Sequence, residues 1–318
     1  MKQTEHTAIV LRYANYRDND RMLTLFSPTK GRIEALARGC RKPRSPILNA
    51  SELFALGDFE LYERGNHLTV ISANLMETFY PLRADFDRLA VGTYLLGVVE
   101  NVIQPGVPAQ ETFMLLLHTL SRLTFSDQPW RPLLTGFLLH LSQSEGFVPR
   151  LHHCVHCQRR IADGESTWFD LTEGGLVCRD CRLPVHVPIS AAQVNWLRTM
   201  LTTGSAGWVD SPEMMAPYRL MRQYIELRLD KPVRSAAMLP EEYKKSVEDK
   251  LESATWSAGR GFSGASWNIQ NWKEGMAEKD LQEAIGDMFE QMGYGANKAF
   301  AEAGIGELFT TFDLSTEE

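Results

Sequence analysis

Four of the five cysteines stand in two close pairs, Cys154 with Cys157 and Cys178 with Cys181, in the pattern C-x2-C-x20-C-x2-C. Two residues between cysteines allow a tight turn to point both thiolates at one ion, and two such turns complete a tetrahedral all-thiolate site. The pattern therefore predicts one bound Zn²⁺ ion. Because four thiolates leave no coordination position open for water, a structural role is favoured over a catalytic one.

The segment between the two pairs is typical of a zinc-ribbon hairpin, with an extended stretch at Ser166–Leu171 and a glycine-rich turn at Glu173–Leu176. The alternative, four unrelated buried cysteines, does not account for the spacing. Three histidines crowd the first pair and are interpreted as surface neighbours rather than ligands, since four cysteines already complete a site. They are His152, His153 and His156. Cys40 stands apart and is interpreted as a bystander.

The bulk properties are those of a water-soluble protein of more than one domain. The chain has 318 residues, 44% of them hydrophobic, which is enough for two or three packed cores. No apolar run approaches the roughly 18–20 residues that cross a bilayer, and the N-terminus lacks the apolar core of a signal peptide. We therefore expect a cytoplasmic protein without membrane contact, whose reduced cysteines bind metal rather than form disulfides.

Charge is distributed unevenly along the chain. The formal net charge is −7, yet residues 1–50 carry ten Lys/Arg against four Asp/Glu, a net of +6, and residues 239–318 carry seven against sixteen, a net of −9. A basic first domain on an otherwise acidic protein indicates a local surface for a polyanion.

The first 76 residues predict a β-barrel. Five runs that alternate apolar with polar residues are separated by turn formers. They lie at Thr7–Tyr13, Arg21–Phe26, Arg32–Ala37, Leu53–Tyr62 and His67–Leu75. Five short strands favour a small closed barrel, for which the OB-fold is the commonest candidate.

From residue 80 the apolar residues recur at helical spacing. Helices are predicted at Leu82–Val102, Glu111–Phe125, Arg131–Ser144, Ala191–Leu201 and Pro212–Leu229. We therefore expect an α+β multidomain protein with an N-terminal OB-fold barrel over residues 1–79, followed by an all-α domain over 80–235. The all-α domain carries the four-cysteine zinc module at about 150–185, and a C-terminal extension occupies 236–318.

The C-terminal extension has a different composition, with an acidic end, short helices predicted at Glu241–Glu252 and Lys279–Gln291, and three tryptophans, Trp256, Trp267 and Trp272. An ordered appendage and a tail that folds on a partner both fit this composition.

Seven basic residues of the predicted barrel are candidate nucleic-acid contacts, because Arg and Lys neutralise phosphates irrespective of base sequence. They are Arg21, Lys30, Arg32, Arg38, Arg41, Lys42 and Arg44. A merely solvated surface is the alternative, and the local charge excess favours DNA. Tyr13, Tyr16 and Phe26 are interpreted as core residues rather than base-stacking platforms. The sequence contains no Walker-type lysine loop and no catalytic constellation, so an enzyme is not indicated.

Several segments, taken in order, closely resemble one bacterial family. They are Thr7–Tyr13, Asp20–Ser27, Gly31–Gly39, Arg41–Ser45, Gly146–Cys154 and Lys231–Ser235. Together with the four-cysteine insert they resemble the RecO family of recombination mediators, over about residues 3–235.

The resemblance implies an OB domain, a helical domain and a zinc module that only some members keep. It implies a non-enzymatic adaptor of double-strand-break and gap repair, associated with the nucleoid, that binds single- and double-stranded DNA and anneals single strands. The implied partners are the C-terminal tail of single-stranded DNA-binding protein, RecR and, indirectly, RecA, which RecR loads. The implied DNA contacts are Arg21, Arg32, Arg38, Arg41, Lys42 and Arg44.

The sequence leaves open the geometry of one cysteine turn and the choice between two functions. Gln158 stands where many members of that family have glycine after the second cysteine, which places the local turn in question. A second hypothesis treats the protein as a zinc-stabilised docking scaffold for other proteins, with incidental contact to nucleic acid.

Overall fold

The computed structural model describes residues 2–65, 67–204, 215–229, 231–243 and 245. The three tryptophans of the C-terminal extension and the helix predicted at Lys279–Gln291 lie outside these residues. So does most of the helix predicted at Glu241–Glu252. Within the described residues, no helix is both long enough and apolar enough to cross a membrane.

Five strands close into a barrel, as the alternating pattern predicted. They are β1 (Lys2–Tyr16), β2 (Asp20–Ser27), β3 (Gly31–Ala37), β4 (Leu56–Arg64) and β5 (His67–Glu77). The order around the barrel is β1-β2-β3-β5-β4, with β3 and β5 parallel and β4 antiparallel to both β1 and β5. This order and closure are those of an OB-type barrel.

The alternation of each strand explains its place in the barrel. In β3, Ile33, Ala35 and Ala37 are buried while the residues between them are exposed or half-buried. Since successive side chains point to opposite faces, one face of the strand supplies core and the other is left for solvent.

In the part of the chain that the structure describes, five α-helices and a small sheet follow the barrel. The helices are α1 (Phe86–Val102), α2 (Gln110–Phe125), α3 (Trp130–Ser144), α4 (Ala191–Thr202) and α5 (Met215–Glu226). The sheet, of order β7-β6-β8, consists of β6 (Thr167–Asp170), β7 (Gly175–Val177) and β8 (Val187–Ile189). Helix α1 begins four residues later than predicted, because Tyr80–Ala84, with proline at its start, forms a 3-10 turn instead.

The described residues fall into two compact units. One comprises the residues up to Leu25, Glu34–Tyr94 and the described residues from Arg234 onward. The other comprises Phe26–Ile33 and Leu95–Val233, and it contains the small sheet and most of the helices.

The core of the first unit extends past the position where the sequence placed the start of the C-terminal extension. The hydroxyl of Ser235 is buried and donates to the backbone oxygen of Thr93 at 3.3 Å. Met238 and Leu239 are fully buried, and Met238 packs against Ala90. Residues directly after Ser235 therefore belong to the packed structure.

Candidate metal centre and nucleic-acid interface

The two cysteine pairs meet at one end of the small sheet. Cys154 and Cys157 lie in the loop that precedes β6, Cys178 directly follows β7, and Cys181 ends the short 3-10 turn after it. All four sulfur atoms lie within 4.8 Å of one another.

The spacing of the sulfurs matches a metal site and not a disulfide. The Sγ atoms of Cys157 and Cys178 are 3.7 Å apart, and all four cysteines are free. A disulfide requires about 2.05 Å. A zinc ion with four thiolates at about 2.3 Å has sulfur–sulfur edges of about 3.8 Å. The four cysteines predicted as ligands are thus close enough together to hold a metal ion.

The first cysteine turn keeps its geometry without a glycine. The N–H of Cys154 donates to Arg159 O at 2.8 Å, and the N–H of Gln158 donates to Cys154 O at 3.0 Å. Gln158 adopts φ 61°, the left-handed conformation that favours glycine, and its side-chain amide donates to Val155 O at 3.2 Å. The substitution at this position therefore alters local strain and leaves the ligands in place.

Hydrogen bonds lower the pKa of one cysteine thiol of the cluster and raise that of another. Burial raises the pKa of the Cys154 thiol, but the backbone N–H groups of Cys157, Cys178 and His156 more than offset it and lower that pKa to about 6. Hydrogen bonds that the Cys181 thiol donates to Cys178 and the other cysteines raise its pKa to about 12. Since metal ligands must be thiolates, binding a cation here displaces protons from the less acidic members.

The guanidinium of Arg159 neutralises part of the negative charge of the Cys178 thiolate. Burial opposes ionisation of Cys178, but the N–H of Cys181 and the guanidinium of Arg159 lower its pKa. Arg159 is itself held by Glu165, whose two oxygens lie 2.5 and 3.2 Å from the guanidinium. Sequence reasoning did not single out Arg159, because nothing in the spacing of the cysteines indicates a basic neighbour.

Asp170 and two histidines form a second polar group near the cysteines, which sequence reasoning also did not identify. Asp170, at the end of β6, contacts the Nε2 atoms of His156 at 3.1 Å and His186 at 3.2 Å. Burial raises the pKa of Asp170, but the N–H groups of Glu173 and Thr172 and the two imidazoles together lower it. The available signal was an aspartate three residues before a glycine-rich turn, but its histidine partners are not close in sequence.

The candidate nucleic-acid surface is formed by two neighbouring loops of the barrel. The turn between β1 and β2 and the loop after β3 enclose a cleft of ≈ 540 Å³. Its lining residues are Arg17, Asp18, Asn19, Asp20, Arg38, Gly39 and Lys42. Arg41 and Arg44 are exposed on the same loop after β3. We call Arg17, Arg38, Arg41, Lys42 and Arg44 the basic loop surface.

Three hydrogen bonds that involve backbone atoms hold the two loops together. Gly39 N–H donates to Asp20 Oδ1 at 2.7 Å, and Gly39 adopts φ +64°. Arg41 N–H donates to Asn19 O at 3.1 Å, and its guanidinium donates to Asp18 O at 3.3 Å. Asp20 therefore fixes the loop that carries the cations, which accounts for a carboxylate in a basic cleft.

Arg17 belongs to this surface although sequence reasoning did not select it. It occupies the β1–β2 turn at φ 56°, and its guanidinium lies 5.2 Å from the ring centroid of Tyr16, which is 43% exposed. The chain separation between Arg17 and Arg38 concealed their proximity, which depends on the pairing of the strands.

The structure does not place Arg21 on this surface. The residue is only 8% exposed, and its guanidinium donates to Ser51 O at 3.0 Å and to Glu52 at 2.7 Å. A buried guanidinium with these acceptors contributes to packing in the barrel, and the sequence-based assignment of Arg21 as a DNA contact stays a prediction. Of the other candidates, Lys30 is exposed in the β2–β3 turn and Arg32 is half-buried on β3. Neither lines the cleft.

The fold and these two sites define a class of protein: an OB-type barrel with a basic loop surface, followed by a helical unit with a four-cysteine module. The chain belongs to the RecO family. The family model for the N terminal region of recombination protein O matches residues 1–79, and the model for its C terminal region matches residues 83–237.

Curated relatives agree with the family match. The DNA repair protein RecO of Desulforamulus reducens is 30% identical over 254 residues, covering 78% of this chain and 98% of the relative. That of Alkaliphilus metalliredigens is 30% identical over 236 residues, covering 70% and 92%. That of Acetivibrio thermocellus is 30% identical over 181 residues, covering 57% and 71%. The family resemblance identified from the sequence is thereby confirmed.

Proposed function

We propose that this protein is a DNA-repair protein that binds DNA through the basic loop surface and acts as a recombination mediator. The proposal rests on one observation. Five cationic side chains, four of them from one loop, lie beside a cleft of the barrel. The names of its relatives, DNA repair protein RecO, support the same assignment.

The proposed mechanism is electrostatic. Exposed guanidinium and ammonium groups neutralise phosphates of either strand, lower the repulsion between two strands and so allow complementary bases to pair. For five such contacts, the logarithm of the affinity for single strands falls with the logarithm of salt concentration with a slope of about −3.5. Binding and release complete this action, and no covalent step is required of the protein.

The proposed partners follow from the family. We infer that the protein acts with RecR to load RecA onto DNA coated by single-stranded DNA-binding protein, and that it binds the C-terminal tail of that coating protein. We also propose that residues 1–79 act as the DNA-binding domain and that the helical residues after 80 serve these protein contacts.

For the metal centre we propose a single structural Zn²⁺ ion held by Cys154, Cys157, Cys178 and Cys181. The support is an all-sulfur donor set with a tetrahedral sulfur–sulfur edge. When bound, the ion cross-links the two cysteine turns. Native mass spectrometry of freshly purified protein tests the assignment, and protein that lacks one zinc per chain would contradict it.

The DNA assignment is tested with the triple substitution Arg38→Ala, Arg41→Ala, Arg44→Ala in the full chain. The matched control removes three exposed cations outside the basic loop surface, Arg160→Ala, Lys231→Ala and Arg234→Ala. We expect the first variant to lose most single-strand affinity and annealing rate at 50 mM salt, with a salt slope shallower by about 2. The control should keep the wild-type slope.

Equal losses in the two triple variants would contradict a localised DNA surface. Tight binding of the tail peptide of single-stranded DNA-binding protein, without measurable DNA affinity at physiological salt, would favour the docking-scaffold alternative instead.

A further inference from the structure

Each carboxylate oxygen of Asp170 has two polar partners. Its Oδ1 accepts the N–H groups of Thr172 at 2.9 Å and Glu173 at 3.0 Å, which closes the turn between β6 and β7. Its Oδ2 lies 3.1 Å from Nε2 of His156 and 3.2 Å from Nε2 of His186. One buried carboxylate thus joins the hairpin turn to two separate histidines.

The hydrogen bonds of His186 determine its tautomer. Its Nδ1 accepts the N–H of Leu183 at 3.0 Å, so the proton of the neutral ring resides on Nε2 and is donated to Asp170. A protonated Nε2 has no lone pair for a metal ion. The trio of His156, Asp170 and His186 therefore does not form a second metal site, although its ligand-type atoms lie within 4.8 Å of one another.

The two histidines belong to different cysteine turns. His156 lies between Cys154 and Cys157, and its ring stacks on that of His186 with centroids 5.4 Å apart. His186 closes the loop directly after Cys181 through a backbone bond from its N–H to Leu183 O at 3.1 Å. The carboxylate of Asp170 consequently connects the first turn to the second.

We propose that Asp170 is a positioning residue that holds the two cysteine turns at metal-binding distance through His156 and His186. This inference rests on the proposed zinc site. Backbone bonds such as Val155 N–H to Leu176 O at 2.9 Å also join the two turns, and the Asp170 bridge adds a connection between their side chains. Without it the ion must complete more of the ordering of the site, and part of the binding free energy is lost to that ordering. Groups bonded directly to metal ligands typically contribute 10–100-fold to affinity, and we expect Asp170, which lies one contact further from the ion, to contribute about tenfold.

The test measures zinc affinity of the full chain by competition with a chromophoric chelator. In Asp170→Asn, the remaining oxygen still accepts the turn N–H groups, while the new amide donor faces the Nε2–H of His186. His186→Phe removes the second arm but keeps a ring of similar size in its place. The matched control is Asp163→Asn, which lies in the same module, has a side chain 83% exposed and contacts Arg198 instead.

Both bridge variants are expected to bind zinc about tenfold more weakly, with the double variant little worse than the weaker single one, because both break one connection. The control should stay within twofold of wild type. Cobalt substitution provides a second readout, since tetrahedral thiolate bands should form at higher cobalt concentrations in the bridge variants.

Wild-type zinc affinity in Asp170→Asn, even with a lowered melting temperature, would overturn the inference and leave Asp170 a purely structural residue. Failure of the wild-type chain to bind zinc or cobalt would instead overturn the zinc assignment itself, so the two failures are distinguishable.

Discussion

The guanidinium carbon of Arg21 lies 3.9 Å from the centroid of the Tyr13 ring, and both side chains are buried in the barrel. This contact joins β1 to β2, and the same guanidinium bonds Ser51 O and Glu52 in the segment before β4. Arg21 therefore connects three parts of the first unit, which separates it in function from the exposed arginines of the basic loop surface.

Arg21→Ala should lower the stability of the protein, whereas Arg38→Ala should weaken DNA binding. Loss of Arg21 leaves Glu52 without its partner, and we expect the free energy of unfolding to fall by about 3 kcal/mol. Loss of the exposed Arg38 should change stability by less than about 0.5 kcal/mol and weaken DNA binding. Urea unfolding and DNA titration of both variants check this. Reduced DNA affinity in Arg21→Ala without loss of stability would support a direct contact between Arg21 and DNA.

Tyr13 makes the barrel sensitive to alkali. Burial raises the pKa of its hydroxyl to about 12 against the opposing charge of Arg21, whereas its ordinary value is 10.0. The unfolded chain therefore releases this proton first, so stability is fully present below pH 10 and is lost as pH rises toward 12. The loss from this group is about 2–3 kcal/mol. Tyr13→Phe should show a shallower decline between pH 10 and 12, measured by urea unfolding at each pH, and an unchanged slope would refute the assignment.

Gln158→Gly should stabilise the zinc module. A side chain in the left-handed region costs about 1 kcal/mol, and glycine avoids that cost, although the bond from the Gln158 amide to Val155 O is lost. We expect a net gain of about 0.5 kcal/mol. Gln158→Val, which is branched at Cβ, should lose about 1 kcal/mol or more. Thermal unfolding of the zinc-loaded proteins measures both, and a stabilising valine would contradict the strained geometry.

The position of a C-terminal truncation should decide whether the first unit survives. The sequence composition placed the start of the C-terminal extension at residue 236, but truncation after Ser235 removes Met238 and Leu239 from the core. Deletion of a buried methionine side chain alone costs about 2–5 kcal/mol. We therefore expect the chain truncated after Ser235 to unfold at a markedly lower temperature than the chain truncated after Lys245, compared by calorimetry. Equal melting temperatures for the two truncated chains would show that Met238 contributes little.

The barrel and the helices were predictable because their signals are local. Strand alternation in segments such as Arg32–Ala37 and helical spacing in Arg131–Ser144 reflect which face of each element avoids water. Errors arose where backbone chemistry overrode periodicity. The extended backbone of Asp85 separates the expected first turn of α1, which is a 3-10 turn, from the α-helix, and Met238 and Leu239 continue the core beyond an apparent boundary in composition.

The four cysteines were identifiable from sequence alone because each pair is local and only their common chemistry joins them. The residues around them were not. The partnership of Asp170 with His156 and His186, the bond from Arg159 to Cys178 and the arrival of Arg17 beside Arg38 all join distant positions. Likewise, a sequence records that Arg21 and Arg38 are both basic, while burial decides which of them is accessible from solvent. Residue type and spacing thus establish which chemistry the chain carries, and the tertiary structure, by excluding water from some polar groups and not others, assigns each one its role.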